Sequence, residues 1–185
     1  MIHVFNALQL PSSIRWHFIG TLQSNKIKTL CALPNLEAIH SIENVKQADK
    51  VQTAWAAQAN RPALNVYVQV NTSGEESLPL LLILTKDASS EQGKKDKGGV
   101  APADTMHLVK HIQEQCPNVT MAGLMTIGAY TESQSAESNA DFDALAQLRK
   151  ELCLAVPTLK DKCRLSMGMS SDFDLAIKKG ADVIR

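Results

Sequence analysis

The chain has 185 residues, and its 19 Lys and Arg residues balance 19 Asp and Glu residues, which gives a formal net charge of zero. Hydrophobic residues make up 44% of the sequence, a fraction typical of a globular protein and not of a disordered one. Without a basic excess we expect no nucleic-acid partner. The most apolar run, Leu78–Leu84, is too short to span a bilayer, so we expect no membrane partner either.

The four cysteines lie far apart and form no C-x-x-C pair, and no His/Cys cluster has zinc spacing; they are Cys31, Cys116, Cys153 and Cys163. We therefore expect free thiols in a reducing compartment and no metal site. The segment Met1–Leu10 lacks the basic and apolar parts of a signal peptide. The sequence thus predicts one domain over residues 1–185 in a cytoplasmic protein, with a mitochondrial pool left open.

In the first half of the chain, short β-branched runs alternate with amphipathic stretches. The predicted elements are a strand at Arg15–Ile19, a helix at Leu22–Leu30, a strand at Leu36–His40, a helix at Glu43–Ala59 and a strand at Leu64–Val70. Ser41 is placed to cap the second of these helices.

The second half continues the alternation. The predicted elements are a helix at Asp104–Gln115, a strand at Thr120–Met125, a helix at Asp141–Leu154, a strand at Arg164–Met167, a helix at Phe173–Lys179 and a strand that starts at Val183. Pro117 and Gly180 are the predicted helix stops. A βαβα order indicates a parallel sheet in an α/β fold.

One segment does not fit this alternation. Leu78–Asp96 begins as a leucine run and ends as a charged stretch rich in Ser and Lys. We interpret residues 78–99 as an insertion or flexible loop, with Lys86–Gly99 as its solvated part. A retained intron or another gene-model error would give the same pattern.

Polar and glycine-rich stretches follow several predicted strands, with the sequences GTLQSN, NTSGEES, MTIG and GMSSD. Loops that follow parallel strands form the ligand site in many α/β proteins. Each of these stretches is equally compatible with a plain turn. Together they favour a binding site at the carboxyl ends of the strands.

Four long motifs occur in a fixed order: WHFIGTLQSNKIK at Trp16–Lys28, QVNTSGEES at Gln69–Ser77, AGLMTIG at Ala122–Gly128 and LSMGMSSDFDLAI at Leu165–Ile177. With these motifs the sequence resembles the pyridoxal 5′-phosphate (PLP) homeostasis protein family. The resemblance covers nearly all of Ile14–Arg185 apart from the Leu78–Asp96 segment.

The resemblance implies a TIM (β/α)8 barrel of the fold type III PLP class, related to the N-terminal domain of alanine racemase. It places the predicted strands at positions three to seven of the barrel, with the start of the eighth at Val183. The chain is then truncated at both ends, lacking the first two strands and most of the eighth. In the family, the lysine that forms the Schiff base lies on the first barrel strand. We assign that role to no lysine of this chain.

The stretch Gly168–Asp172 offers backbone amides and hydroxyls just before a predicted helix, as phosphate binding requires. The resemblance makes Ser170 the phosphate ligand, with Gly168 and Met169 beside it, while Ser170 or Ser171 also suits a helix cap. It sets Arg185 opposite the pyridine nitrogen, where an Arg weakens PLP as an electron sink.

Three further residues are candidates for cofactor contacts. His17 faces the barrel interior if strand residues alternate, and a buried, hydrogen-bonded core histidine is the alternative. Asn71 follows a strand and suits either a cofactor contact or a turn. Ser166 belongs to the same motif as Ser170.

The resemblance implies PLP binding for cofactor homeostasis without catalytic turnover, and we predict no catalytic residue. PLP is the predicted cofactor and the one predicted partner of a monomer. Two alternatives stay open. One is a PLP-dependent racemase or decarboxylase, and the other is a truncated isoform or gene-model fragment with weak or no PLP binding.

Overall fold

The computed structural model of the chain describes residues 11, 13–58, 60–73, 98–128 and 138–185. Within these ranges five strands form a single sheet in sequence order, and every neighbouring pair is parallel. The strands are β1 (Trp16–Phe18), β2 (Leu36–Ile42), β3 (Leu64–Gln69), β4 (Val119–Met125) and β5 (Arg164–Ser166).

Helices connect these strands. They are α1 (Ile27–Cys31), α2 (Val45–Ala56), α3 (Pro102–Gln115), α4 (Ala140–Ala155) and α5 (Phe173–Lys178), with a 3-10 turn at Pro157–Leu159. None of the helices in the described ranges is long and apolar enough to cross a membrane.

The sheet curves like the wall of a barrel. The side chain of His40 on β2 reaches that of Ser166 on β5, with two strands between them in the sheet order. Beyond β5, Ser166 forms a parallel bridge with Val183, where a sixth strand begins. Five strands and the start of a sixth confirm the predicted incomplete α/β barrel.

Most of the core lies between the convex face of the sheet and the helices. Ile39, Val51, Leu124 and Leu145 are fully buried in it. Each such side chain contributes about 1.5–3 kcal/mol on burial, so this layer holds the helices to the sheet. A smaller apolar cluster on the concave face comprises Ala38, Tyr67, Ala122 and Met125.

Two local predictions are wrong. The helix predicted at Leu22–Leu30 starts only at Ile27, because the chain first makes a turn in which the Lys26 amide donates to the Gln23 carbonyl. Ser41 does not cap α2, because β2 runs on through Ile42 and the Ser41 hydroxyl donates to the Gly20 carbonyl over 2.6 Å.

The cap of α2 is Asn44, whose Oδ1 accepts from the Gln47 amide over 2.9 Å. α3 starts two residues before its predicted Asp104, because Pro102 at the first turn needs no hydrogen-bond donor there. Gly180 follows α5 with a φ of +89°, as its predicted stop position requires. The segment Leu78–Asp96 lies outside the described residues.

Candidate functional site

A chain of hydrogen bonds crosses the concave face of the sheet. His17 Nδ1 lies 2.9 Å from His40 Nε2, and His40 Nδ1 lies 2.9 Å from Ser166 Oγ. The chain therefore joins β1 and β2 to β5. Two of its members, His17 and Ser166, were predicted site residues, whereas His40 was not.

His40 is the centre of this network and is completely buried. Its ring stacks on Tyr67, with 4.0 Å between the centroids and 10° between the planes. Burial first, and then the nearby His17 and Arg185, lower the pKa of His40 from 6.5 to about 4. The imidazole is therefore neutral at physiological pH, so it donates in one of its two hydrogen bonds and accepts in the other.

Arg185 continues the network beyond Ser166. Its Nη1 donates to the Ser166 carbonyl over 3.0 Å, and its Nη2 donates to the Thr126 carbonyl over 2.8 Å. Its backbone amide also donates to the Gly168 carbonyl. Burial lowers the pKa of the guanidinium, and the Asp172 carboxylate opposes that shift. Arg185 is thus fixed as a partly buried cation that bonds two of the other predicted site residues, Ser166 and Gly168.

The loop after β5 has the shape of an anion site. Gly168 has a φ of +95°, and a Cβ there would lie 2.6 Å from the Ala176 Cβ, so only glycine fits. The Met169 amide donates to Asp172 Oδ1 over 2.7 Å. The amides of Ser170 and Ser171 donate to no group in the described part of the chain, and both residues are exposed.

These bonds refine the predicted roles in the loop. The backbone amide of Met169 is already used by Asp172, so it is not available to a phosphate. Asp172, rather than Ser170 or Ser171, is the N-cap residue of α5. The cap alternative for the two serines is therefore wrong, and their hydroxyls remain open to solvent.

A cavity of about 220 Å³ opens beside this network, at the carboxyl ends of β3 and β4. Its walls include Asn71, Thr72 and Thr126, and the hydroxyls of the two threonines lie 2.8 Å apart. Asn71 Oδ1 is buried and meets no hydrogen-bond donor among the described residues. An unpaired buried oxygen of this kind fits a donor from a bound molecule.

The structure therefore gathers the predicted residues into two neighbouring groups that meet at Thr126. The first group contains His17, Ser166, Gly168 and Arg185, linked through hydrogen bonds and His40. The second is the cavity that contains Asn71. Met169 and Ser170 lie in the loop between β5 and α5 and are bonded to neither group.

The sequence interpretation missed His40, Tyr67 and Thr126. A signal for two of them exists, because His40 and Tyr67 are polar-tipped residues at interior positions of β2 and β3. His40 also stands two residues after the buried Ala38, which puts both on the concave face. Thr126 contributes its backbone carbonyl, which no side-chain pattern can reveal.

A curved parallel β/α sheet with polar groups at its carboxyl edge is the architecture of a (β/α) barrel with a ligand site at that edge. The family model for the N-terminal domain of alanine racemase matches residues 3–185. The chain therefore belongs to the alanine racemase N-terminal domain family. The match begins at residue 3, so it reaches further toward the amino terminus than the resemblance, which begins at Ile14.

Within this family the chain is similar to proteins named pyridoxal phosphate homeostasis protein. It is 40% identical to the human protein over 178 residues, which cover 96% of this chain and 58% of that relative. It is also 40% identical to the Schizosaccharomyces pombe protein over 178 residues, covering 95% of this chain and 64% of that one. The chain thus spans less than two thirds of the length of either relative.

Solved structures agree with this placement. PipY of Synechococcus elongatus, determined with PLP bound, aligns at a TM-score of 0.70 with 27% identity, covering 98% of this chain and 71% of PipY. An alanine racemase of Clostridium difficile aligns at 0.65 with 10% identity, covering 98% of this chain and 40% of the racemase. The second likeness concerns the fold alone.

Proposed function

We propose that this chain binds PLP reversibly at the carboxyl edge of its sheet and serves the homeostasis of that cofactor. The observation that carries the proposal is the hydrogen-bonded group of Ser166 and Arg185 next to the Gly168 loop. It lies on a fold shared with PipY, whose structure was determined with PLP bound. The names of the similar human and yeast proteins support the same role.

The residues present fit the two polar ends of PLP. The unpaired amides of Ser170 and Ser171, with the Ser170 hydroxyl, suit a phosphate group, which takes several donors. The fixed cation of Arg185 suits the pyridine nitrogen and would keep it unprotonated. The unpaired Asn71 Oδ1 offers an acceptor at the neighbouring cavity.

The aldehyde end of PLP has no covalent partner on the described strands. No residue of β1 to β5 is a lysine, whereas Lys28 and Lys46 lie on helices. A Schiff base needs an amine whose desolvation lets it attack the aldehyde, and an exposed helix lysine lacks this property. We therefore propose noncovalent binding without turnover. That the chain acts as a monomer in the cytoplasm is a separate proposal, which rests on the sequence expectations alone.

The test is equilibrium dialysis of the chain against PLP, followed by borohydride reduction and mass measurement of the intact protein. We expect saturable binding that dialysis removes, and no lysine adduct after reduction. A stoichiometric adduct on a single lysine would contradict reversible binding. An absence of saturable binding by a folded chain would instead support the fragment alternative. Racemisation of alanine with added PLP would support the enzyme alternative.

A further inference from the structure

Three metal-ligating side chains from separate parts of the sequence meet on the outer, helical layer. Asp49 lies on α2, His111 lies on α3, and Cys116 is the C-cap residue of α3. One ligand atom of each lies within 4.8 Å of the other two. Sequence spacing gave no indication of this cluster, because the first member is more than sixty positions from the second.

The exposure of the three donors to solvent increases from Cys116 through His111 to Asp49. The Cys116 thiol is buried at 1% exposure. The side chain of His111 is 21% exposed and that of Asp49 is 53% exposed. A cation held by them would therefore have sulfur on its inner side and solvent on its outer side, so a water molecule can complete its coordination.

The separations suit a zinc-like ion. Bonds of roughly 2.0–2.3 Å to nitrogen, oxygen and sulfur put the ligands of a tetrahedral zinc site roughly 3–4 Å apart. His111 Nε2 and Asp49 Oδ1 are now 2.6 Å apart, a hydrogen bond that the Nε2 proton can make. A metal ion in place of that proton requires only a small separation of two partly exposed side chains.

The supporting framework is well fixed. The Cys116 amide donates to the Ile112 carbonyl, and the Asn118 amide donates to Gln52 Oε1 on α2 over 2.9 Å. Val51 on α2 and Ile112 on α3 are both fully buried in the core behind the cluster. Ligands on packed helices hold their geometry better than ligands on loops.

We propose that Asp49, His111 and Cys116 form a binding site for a divalent transition metal of the zinc type. On binding, the thiol proton passes to solvent and the imidazole proton of His111 moves from Nε2 to Nδ1, so that sulfur, Nε2 and a carboxylate oxygen each form one bond to the ion. The thiolate and the carboxylate together neutralise its double charge. A mixed S/N/O donor set with an open fourth position is typical of zinc and selects against calcium and magnesium.

Cobalt is the probe, because a thiolate-bound Co²⁺ gives a charge-transfer absorbance band that reports coordination by sulfur. The full chain, free of any affinity tag, is titrated with Co²⁺ alone. We expect a saturable near-ultraviolet band at one equivalent, lost when Zn²⁺ is added. Cys116→Ser is expected to lose the band, and His111→Ala is expected to weaken Co²⁺ binding by at least about tenfold.

Two control variants remove a histidine and a cysteine that lie outside the cluster. His107→Ala removes an exposed histidine one turn earlier on α3, and Cys31→Ala removes another fully buried thiol. Both are expected to keep the wild-type band and affinity. If the wild-type chain gives no saturable band, or His111→Ala binds Co²⁺ as the wild type does, the proposal is wrong. Because His111 is partly exposed, that variant tests the site even if Cys116→Ser fails to fold.

Discussion

His40 shows how one buried side chain organises the concave face. It is the residue that links β1, β2 and β5, and it stacks on Tyr67 of β3 at the same time. Its low pKa means that the network depends on a neutral ring. Protonation would put a buried positive charge beside Arg185, and no carboxylate of the described residues bonds to His40.

The lowered pKa of His40 predicts that the stability of the fold depends on pH. The unfolded histidine binds a proton near 6.5, whereas folded His40 does so only near 4, its pKa lowered by burial. Between these values the unfolded chain binds more protons, so stability rises with pH and is lost as the pH falls. The loss amounts to about 3 kcal/mol at most. Urea unfolding at about pH 7.5 and about pH 4.5 measures it.

His40→Gln keeps a polar, uncharged group and is expected to flatten the pH dependence in this window. His107→Gln, at an exposed position on α3, is the control and is expected to retain the wild-type dependence. An equal loss of stability on acidification in His40→Gln and the wild type would show that another group is responsible.

Gly168 gives a second prediction about a single residue. Gly168→Ala combines a φ of +95° with a contact of 2.6 Å to the Ala176 Cβ. Gly180→Ala has nearly the same φ, +89°, but meets only the mobile end of Arg149 at 3.3 Å. We expect a cost of about 1 kcal/mol for Gly180→Ala and about 3 kcal/mol for Gly168→Ala, measured by chemical denaturation. Equal costs would mean that the loop relaxes around the new methyl group.

At the scale of single elements, the cap of α2 is directly testable. Asn44→Ala removes the acceptor for the Gln47 amide and is expected to lower the free energy of unfolding by about 1 kcal/mol. Lys46→Ala, also exposed and only two positions further on, should change it by less than about 0.5 kcal/mol. A cap that contributes nothing would leave the two variants indistinguishable.

The elements themselves follow from sequence patterns, whereas their ends and contacts do not. Each strand and helix predicted between Arg15 and Lys179 has a counterpart in the described ranges, since period-two and period-3.6 patterns reflect burial on one face. Ser41 and Asn44 are equally good caps by residue type. What separates them is that β2 extends to Ile42, which is decided by its pairing with β3 through Ile42 and Val68.

The candidate site was predictable only in part for a similar reason. His17 and Ser166 stand at strand positions that lie within the motifs, and the resemblance marks Arg185. Their bonding through His40 depends on the curvature that brings β2 to β5, which no local pattern contains. The metal-ligand cluster likewise depends on how α2 packs on α3.

For the whole molecule, the described residues form an arc of a barrel with its polar edge in place. The chain spans 58% of the length of its human relative. The loop after β5 and Arg185 carry the groups proposed for phosphate and pyridine, and β1 to β5 carry no lysine. The central claim is therefore that PLP is recognised through its phosphate.

Calorimetric titration with PLP and with pyridoxal, which lacks the phosphate, tests this claim most directly. The account predicts that PLP binds saturably and pyridoxal much more weakly. Ser170→Ala should weaken PLP binding by about tenfold. Ser13→Ala is the control and should not change the affinity, because Ser13 lies before the amino end of β1 and the site lies at the carboxyl ends of the strands. Equal affinity for PLP and pyridoxal, or unchanged PLP binding in Ser170→Ala, would contradict the claim.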